Sequence, residues 1–425
     1  MAAAPRARVE LPKLAREQQI LLGLLFLSIC INYIDRGSLS VAQSFIRQEF
    51  GIDPAQLGMI FSAFYWTYAT VMIVSGHLVD RFDVNKVFAV GYLVWSVAML
   101  CTGLSAGLAS LLVCRLFLGA GESVAYPAYS RILAASYRED QRGFANALID
   151  AGSKAGPALG VLLGGLLILK IGWRAAFVAM GVASLFWLWP WLKFSPRSRE
   201  AQKMTSKGPP LRLILRERSA WGTFTGLLCS NYAWYFMVFW LPPYFVNERH
   251  FSIHDMALLG SIPFWGVAVT SIASGWLSDR WISRGGSPTV VRKTMLCTGL
   301  LTSTMMLPAV LVQDNTVSLI LLSLACASFG IYSSNAWALT QTLAGPTAAG
   351  TWSGVQNALG NTPGMFGLWF TGWVIQVTGH YVAAFAIASG FLFAGALSYL
   401  FIVGRVEPVD WRKYAPAEPQ SVIQS

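Results

Sequence analysis

The sequence predicts an all-α integral membrane protein with twelve transmembrane helices in two six-helix pseudo-symmetric halves. Hydrophobic residues make up 55% of the 425 residues and charged residues 12%, with a mean hydropathy of +0.53. An average soluble chain is roughly 25% charged. About twelve apolar runs are long enough to cross a hydrocarbon core of roughly 30 Å. Polar and apolar residues do not alternate in these runs as they would in a membrane barrel, so spanning helices are predicted.

The predicted helices follow one another with short turns between them. They cover residues 18–46, 54–79, 85–105, 109–136, 142–169, 173–195, 219–247, 255–281, 290–312, 315–343, 349–376 and 380–404. A basic, proline-containing stretch at 196–218 changes the composition abruptly and is interpreted as a cytoplasmic linker. The predicted domains are an N-terminal tail (1–17), a first half (18–195), the linker (196–218), a second half (219–404) and a C-terminal tail (405–425).

Most of the net charge of +11 lies on one side of the predicted membrane. Basic residues gather in the tails, the linker and the loops after the second, fourth and eighth helices, whereas the opposite loops contain only Arg47, Lys170, Arg174 and Arg249. The positive-inside rule therefore predicts that both termini are cytoplasmic. This distribution also argues against a nucleic-acid partner. The first apolar run is of full length without a cleavage site, so it is interpreted as a retained helix.

The six cysteines and four histidines do not form a recognisable site. The cysteines lie in or beside apolar segments without CxxC or Cys/His spacing, and the histidines lie at loops or helix ends. We therefore expect neither disulfides nor a metal or cofactor site, and we do not expect an enzyme.

The first predicted helix contains adjacent opposite charges, Asp35 and Arg36. Because a charge at bilayer depth costs about 3 kcal/mol or more, both side chains must face protein or water. Such a pair predicts a functional site, and a neutralised pair that only fixes helix packing is the alternative. Tyr33 and Tyr68 are expected to line the same wall of that site.

The fourth predicted helix has Arg115 and Glu122 on one face, two turns apart. Their axial separation of about 10 Å prevents a direct pair, so each needs another partner, and Asp35 and Arg36 are the natural ones. Arginine does not release its proton, which leaves Asp35 and Glu122 as the possible proton carriers. A static network of charges is the alternative.

The fifth predicted helix has Asp150 and Lys154 one turn apart, with the acid first. This order favours an internal ion pair. A structural pair and a second cation facing a substrate explain the spacing equally well.

The second half is nearly uncharged within its helices but has polar and aromatic groups there. This asymmetry suits a substrate whose carboxylate binds arginine in the first half and whose hydroxyl or amide groups bind the second. Contact with a neighbouring helix is the alternative for each residue. The candidate residues are Tyr232, Ser334, Asn335, Trp337, Asn357 and Asn361.

Short motifs recur between the two halves. Gly76-His-Leu-Val-Asp80-Arg81 returns as Gly275-Trp-Leu-Ser-Asp279-Arg280, 199 residues later. Asn146-Ala-Leu matches Asn357-Ala-Leu, 211 residues later. Ordered matches at two nearby spacings indicate a duplicated six-helix unit, with a binding site between the two copies.

Two motifs resemble a known family. G-x-L-x-D-R-x4-K, here Gly76 to Lys86, resembles the loop signature of the major facilitator superfamily. Asn32-Tyr33-Ile34-Asp35-Arg36, with Arg115-x6-Glu122 and Pro127, resembles its anion:cation symporter branch. That branch includes bacterial proton-coupled importers of sugar acids and animal vesicular transporters of glutamate and sialic acid.

The resemblance implies roles for these positions. Asp35 and Glu122 would carry the coupled proton, and Arg36 would meet the substrate carboxylate. The acid of the loop motif would cap a neighbouring helix and close the cytoplasmic side. The gating residues implied in this way are Asp80, Arg81, Asp279 and Arg280.

The expected function is import of a small organic anion, such as a sugar acid, by proton symport with alternating access. The expected partners are the anion, protons and the lipid bilayer, for a monomer in a bacterial inner membrane. A proton-coupled drug or organophosphate antiporter is the alternative, because Gly152-x3-Gly156-Pro157-x2-Gly160 partly resembles a drug-antiporter signature. Against the organophosphate antiporter, the seventh helix has no arginine to pair with Arg36.

Overall fold

The structure is a computed structural model that describes residues 14–137, 139–195 and 211–411. Within these residues every regular element is helical. Eight helical stretches of the described chain are long and apolar enough to cross a membrane by length and composition alone. One of them, Leu148–Phe194, contains two successive membrane-spanning helices.

The first half contains six spanning helices in the described residues. They are α1 (Arg16–Phe50), α2 (Pro54–Arg81), α3 (Val84–Gly103), α4 (Leu108–Glu122 continued by Ala125–Ser136), α5 (Glu139–Leu159, extended through a π-helical turn at Gly160–Gly164 to residue 171) and α6 (173–194).

The second half contains six more. They are α7 (Arg218–Asn247), α8 (Ile253–Leu259 and Ile262–Ser283), α9 (Pro288–Ser303 and Met306–Leu311), α10 (315–344), α11 (346–378, with a π-helical turn at Pro363–Gly367) and α12 (382–402). A short helix, Leu211–Ile214, precedes α7. The predicted twelve-helix fold is confirmed. The largest difference between a predicted and an observed helix boundary is at the end of α1, which was predicted at residue 46 and lies at Phe50.

Helix boundaries follow local chemistry. Asp53, Asp83 and Asp314 each accept a backbone N–H at the start of α2, α3 and α10, which satisfies donors that the helix leaves open. Gly172 separates α5 from α6 with φ 78°, and Gly345 separates α10 from α11 with φ 63°. These left-handed conformations suit glycine, so each pair of helices is joined by a sharp turn.

The two halves repeat one close helix contact. A Cβ at Gly119 of α4 would lie 2.1 Å from the Phe64 carbonyl oxygen of α2, so only glycine allows this approach. In the second half, a Cβ at Gly330 of α10 would lie 2.5 Å from the Val267 carbonyl oxygen of α8. The duplicated unit therefore keeps its packing as well as its motifs.

The halves meet along α1 with α7, α2 with α11 and α5 with α8. Trp66 of α2 donates its indole N–H to the Met365 carbonyl in the π-helical turn of α11, at 2.8 Å. Ser62 accepts the Trp369 backbone N–H at 3.1 Å. Side chains of α2 thus satisfy backbone groups that the irregular turn of α11 exposes.

Candidate functional site

Arg36 lies at the centre of the first half and is only 3% exposed. Its Nη2 donates to Glu122 Oε2 of α4 at 2.9 Å and to Asn32 Oδ1, one turn earlier in α1, at 3.1 Å. Glu122 is completely buried. A buried ion pair offsets the cost of its desolvation only when its two groups are held in close contact. The Arg36–Glu122 pair therefore constrains the position of α1 relative to α4.

Aromatic rings surround the Arg36 guanidinium. Its central carbon lies 4.4 Å from the ring centre of Tyr33, 4.7 Å from Phe64, 5.3 Å from Tyr68 and 5.9 Å from Tyr65. Ring faces attract a cation at these distances and exclude water from it. We call these four rings the aromatic cage. Tyr33 and Tyr68 were predicted for this wall, and the structure adds Phe64 and Tyr65 to it.

Asp35 and Arg115 form a second, looser set of charges beside the cage. Both are 2% exposed. Asp35 lies within electrostatic range of the charges of Glu122, Arg115 and Arg36. The guanidinium of Arg115 lies 5.0 Å from the Phe64 ring centre. Asp35 Oδ2 and Arg115 Nε and Nη2 have no hydrogen-bond partner in the described residues, so both side chains have unused bonding capacity.

Lys154 extends from α5 across the boundary between the halves. Its Nζ lies 5.1 Å from the ring centre of Trp234 on α7. The ion pair with Asp150 that the spacing permitted does not form in the described chain. Lys154 faces the cavity between the halves, and its role as a second cation facing a substrate stays a prediction.

Lys154 lines a small cavity of about 40 Å³ between the halves. This volume holds only a few water molecules, since one needs roughly 10–15 Å³. Trp337, which the sequence predicted, also lines it. The other lining residues are Leu227, Asn231, Trp234, Phe329, Tyr332, Ser333 and Ala336.

Asn357 and Asn361 of α11 belong to the wall that faces the aromatic cage. Tyr235 of α7 donates its hydroxyl to Asn361 Oδ1 at 2.7 Å, and Asn361 Nδ2 donates to Asn357 Oδ1 at 3.2 Å. The Tyr235 ring lies 4.6 Å from that of Tyr65. This contact connects the polar groups of the second half with the rings around Arg36.

Three other predicted residues lie in helix contacts of the second half. The Tyr232 hydroxyl bonds with Thr371 at 2.8 Å. Ser334 bonds with the hydroxyl of Ser274 at 3.0 Å. Asn335 Oδ1 accepts from Arg292 at 2.9 Å.

The predicted gate residues are only partly described. Arg292 at the start of α9 donates to Asp279 Oδ1 at 2.7 Å and connects α8 with α9. Arg280 lies 5.1 Å from the ring centre of Trp276. The side chains of Asp80 and Arg81 lie outside the described part of the structure.

Sequence reasoning missed Asn32 as a partner of Arg36 and Trp234 as a neighbour of Lys154. Asn32 was noted as part of the motif that resembles the anion:cation symporter branch and not as a partner of Arg36, although its i, i+4 spacing to Arg36 was a usable signal. Trp234 lies three residues after Asn231 in α7 and therefore shares its helix face, which could have identified Trp234 as a cavity residue.

Comparison with known proteins identifies the family. A family model described as Major Facilitator Superfamily matches residues 25–368. A probable sulfoacetate transporter of Cupriavidus necator is 31% identical over 406 residues, which cover 91% of this chain and 94% of that protein. A D-galactonate transporter of Escherichia coli is 29% identical, with 94% and 99% covered. A probable galactarate/D-glucarate transporter of Bacillus subtilis is 27% identical, with 94% of each chain covered.

Solved structures share the fold. A bacterial homologue of the human lysosomal transporter Spinster, in an inward-facing and occupied conformation, has a TM-score of 0.71. The match covers 93% of this chain and 96% of that one at 18% sequence identity.

Proposed function

The chain belongs to the major facilitator superfamily, and we propose that it imports a small organic anion together with protons. It is a multi-pass membrane transporter and not an enzyme. The similar proteins named for sulfoacetate, galactarate/D-glucarate and D-galactonate transport support an anionic substrate. The proposed setting is a bacterial inner membrane, with both termini cytoplasmic and the monomer as the transporting unit.

The buried pair between Arg36 and Glu122 carries this proposal. In the structure the Glu122 carboxylate accepts a hydrogen bond from the Arg36 guanidinium, with Oε2 and Nη2 2.9 Å apart inside the aromatic cage. Protonation of Glu122 removes its charge and leaves a buried guanidinium without a counter-ion. An uncompensated buried charge costs about 3–5 kcal/mol. A substrate carboxylate replaces the lost partner, so binding of the anion and of the proton favour each other.

Asp35 is proposed as a second proton site. It is buried beside Arg115, and its Oδ2 is unpaired in the described residues. A carboxyl group with a free oxygen can hold a proton without breaking an existing hydrogen bond. Arg115 balances the charge of Asp35 when that proton leaves, and this keeps the loaded and unloaded states close in energy.

The wall of the second half is proposed to bind the uncharged part of the anion. Asn361 and Asn357 already join Tyr235 in a hydrogen-bonded chain next to the cage. Such groups can exchange one partner for a substrate hydroxyl at little net cost. Asp279 and Arg280, together with Asp80 and Arg81, are proposed to control opening on the cytoplasmic side.

Purified protein in proteoliposomes tests the function. The expected result is uptake of a labelled sugar acid or sulfonate when the outside is acidic and the inside alkaline, and loss of accumulation when a protonophore collapses the gradient. A drug or organophosphate antiporter would instead move its substrate against the proton or against phosphate. Saturable transport of a cationic drug without transport of any anion would overturn the proposal.

A further inference from the structure

Lys154 is a cavity cation without an acidic partner in the described residues. Its ammonium group faces the Trp234 ring at 5.1 Å, and no described residue accepts any of its three N–H bonds. A cation–π contact is weak and uses no N–H donor. Arg36, which lies outside this cavity, is neutralised by Glu122, and Arg115 lies beside the buried carboxylate of Asp35. The N–H donors and the charge of Lys154 are therefore available to bind an anionic group, and the proposed coupling through Arg36 does not involve them.

The surroundings of Lys154 favour an anionic group as its partner. Ser333 and Trp337 line the same cavity, and neither side chain has a hydrogen-bond partner in the described chain. Together with Lys154 they provide an ammonium, a hydroxyl and an indole N–H. Asn231 already donates its amide to the Gly360 carbonyl at 2.7 Å, which leaves its oxygen for a substrate hydroxyl. A wall composed mainly of donors fits the oxygens of a carboxylate or sulfonate.

Helix packing determines the offset between the two cations. The facing positions of α5 and α1 run in register, with Gly152 against Ile29, Gly156 against Tyr33 and Gly160 against Gly37. In this register the Cα atom of Lys154 lies at the same height along the helix axis as that of Ile31, which is five residues before Arg36. At 1.5 Å per residue, the two Cα atoms differ by about 7.5 Å along the helix axis. One small molecule with acidic groups at opposite ends can span this offset.

We propose that the transported anion is a small organic dianion whose two acidic groups bind Arg36 and Lys154. This inference rests on the proposed function and adds the charge of the substrate to it. The first acidic group replaces Glu122 at Arg36. The second draws the Lys154 ammonium away from Trp234 and accepts hydrogen bonds from Ser333 and Trp337. A monoanion can satisfy only one of the two cations, so the site discriminates by charge.

Matched pairs of acids test the inference without any substitution. Uptake into proteoliposomes under an inward proton gradient is measured for D-gluconate with D-glucarate, D-galactonate with galactarate, and acetate with sulfoacetate. The expected kcat/KM for the dianion is at least tenfold above that for its monoanion in the pair that is transported. Equal or better transport of the monoanion would overturn the inference and leave the proposed function standing. If no anion in the panel is transported, the proposed function itself fails.

Substitution of Lys154 identifies the residue responsible. Lys154→Gln is expected to lower the dianion-to-monoanion ratio of kcat/KM at least tenfold, and Lys154→Arg is expected to retain most of it. Lys170→Gln is the matched control, because Lys170 is an exposed lysine near the far end of the same helix. An unchanged dianion-to-monoanion ratio of kcat/KM in Lys154→Gln would overturn the assignment of Lys154 as the second binding residue. If that variant does not fold, Ser333→Ala tests the same wall and is expected to lower the ratio several-fold.

Discussion

Arg36 and Glu122 form a buried bond that the proposed transport cycle must break and remake. Their atoms lie 2.9 Å apart, and the only other described side-chain acceptor of Arg36 is Asn32. A neutral amide cannot balance a full charge. In the proposed cycle, binding of the substrate carboxylate to Arg36 therefore follows protonation of Glu122. Two substitutions test the two partners separately.

The first prediction concerns the acid. Glu122→Gln keeps the shape of the protonated side chain and removes its charge. Accumulation driven by a pH gradient should be lost, while counterflow exchange, which needs no net proton movement, should continue. Both are measured with the same labelled anion in proteoliposomes. Normal pH-driven accumulation in the variant would remove Glu122 from the coupling mechanism.

The second prediction concerns the base. Arg36→Lys retains the charge but loses the planar fork that binds a carboxylate with two parallel bonds. Substrate binding should weaken by about 1.5–3 kcal/mol, the contribution of a hydrogen bond to a charged group. Isothermal titration measures this, with Arg405→Lys, a substitution at an exposed arginine after α12, as the matched control. Wild-type affinity in Arg36→Lys would point to Arg115 or Lys154 as the anchor.

At the scale of helices, arginines cap helix ends on the side opposite the termini. Arg174 at the start of α6 donates to the carbonyls of Gly103 and Ser105, at 3.2 and 2.6 Å, where α3 ends. It also forms an ion pair with Glu49 of α1 at 2.6 Å. Arg249 donates to the Val310 and Val312 carbonyls, at 2.9 and 2.6 Å, where α9 ends. Arg174 and Arg249 are among the few basic residues on the side that is otherwise poor in positive charge. Their role is structural, because cations stabilise the carboxyl ends of helices.

The third prediction tests one of these caps. Arg249→Gln should lower the free energy of unfolding by about 1.5–3 kcal/mol, because charge-assisted bonds to several carbonyls are lost. The melting temperature of the purified protein should fall accordingly. Lys170→Gln, on the same side and exposed, is the control and should change stability by less than about 0.5 kcal/mol. Equal melting temperatures for both variants would show that the cap contributes nothing measurable.

The fourth prediction tests the duplicated helix contact. Gly119→Ala and Gly330→Ala place a methyl group within 2.1 Å of a neighbouring atom in each half. Each should destabilise the protein by about 1–3 kcal/mol, the usual cost of overpacking. Gly390→Ala in α12 is the control, because nothing lies within 4 Å of its Cβ position. Thermal melting compares the three variants. If Gly119→Ala and Gly330→Ala melt like Gly390→Ala, the halves do not depend on these close approaches.

At the scale of the whole molecule, the proposed proton sites at the two buried acids set the charge that one transport cycle would move. If Asp35 and Glu122 both carry protons, two protons accompany each anion. A monoanion then brings one net positive charge inward, and a dianion brings none. An inside-negative potential contributes about 2.3 kcal/mol per charge for each 100 mV.

The fifth prediction follows from this count. At a fixed pH gradient, a valinomycin-set inside-negative potential should speed uptake of a monocarboxylate and hardly change uptake of a dicarboxylate. Initial rates at several potassium gradients measure the effect. Monocarboxylate uptake that ignores the potential would indicate one proton per anion and reject the two-proton cycle.

The sequence by itself determined the twelve-helix fold and the identity of the charged residues near the site. Lipid requires about twenty apolar residues for each crossing, so the helices are visible as runs in the chain. Charges such as Arg36 and Glu122 are conspicuous within those runs because they are costly there. Spacing within one helix also identified shared faces, since the period of 3.6 residues is the same in every α-helix.

Only the tertiary structure decided which groups meet. It selects Glu122 as the partner of Arg36 from the predicted set of two acids and two arginines, and it directs Lys154 to Trp234 instead of Asp150. It also places Tyr232 against Thr371 and Asn335 against Arg292, in contacts within the second half. Sequence spacing defines the face of a helix, but the rotation of that face about the helix axis depends on packing against all its neighbours. Close approaches such as Gly156 on Tyr33 set this rotation, and no single helix contains that information.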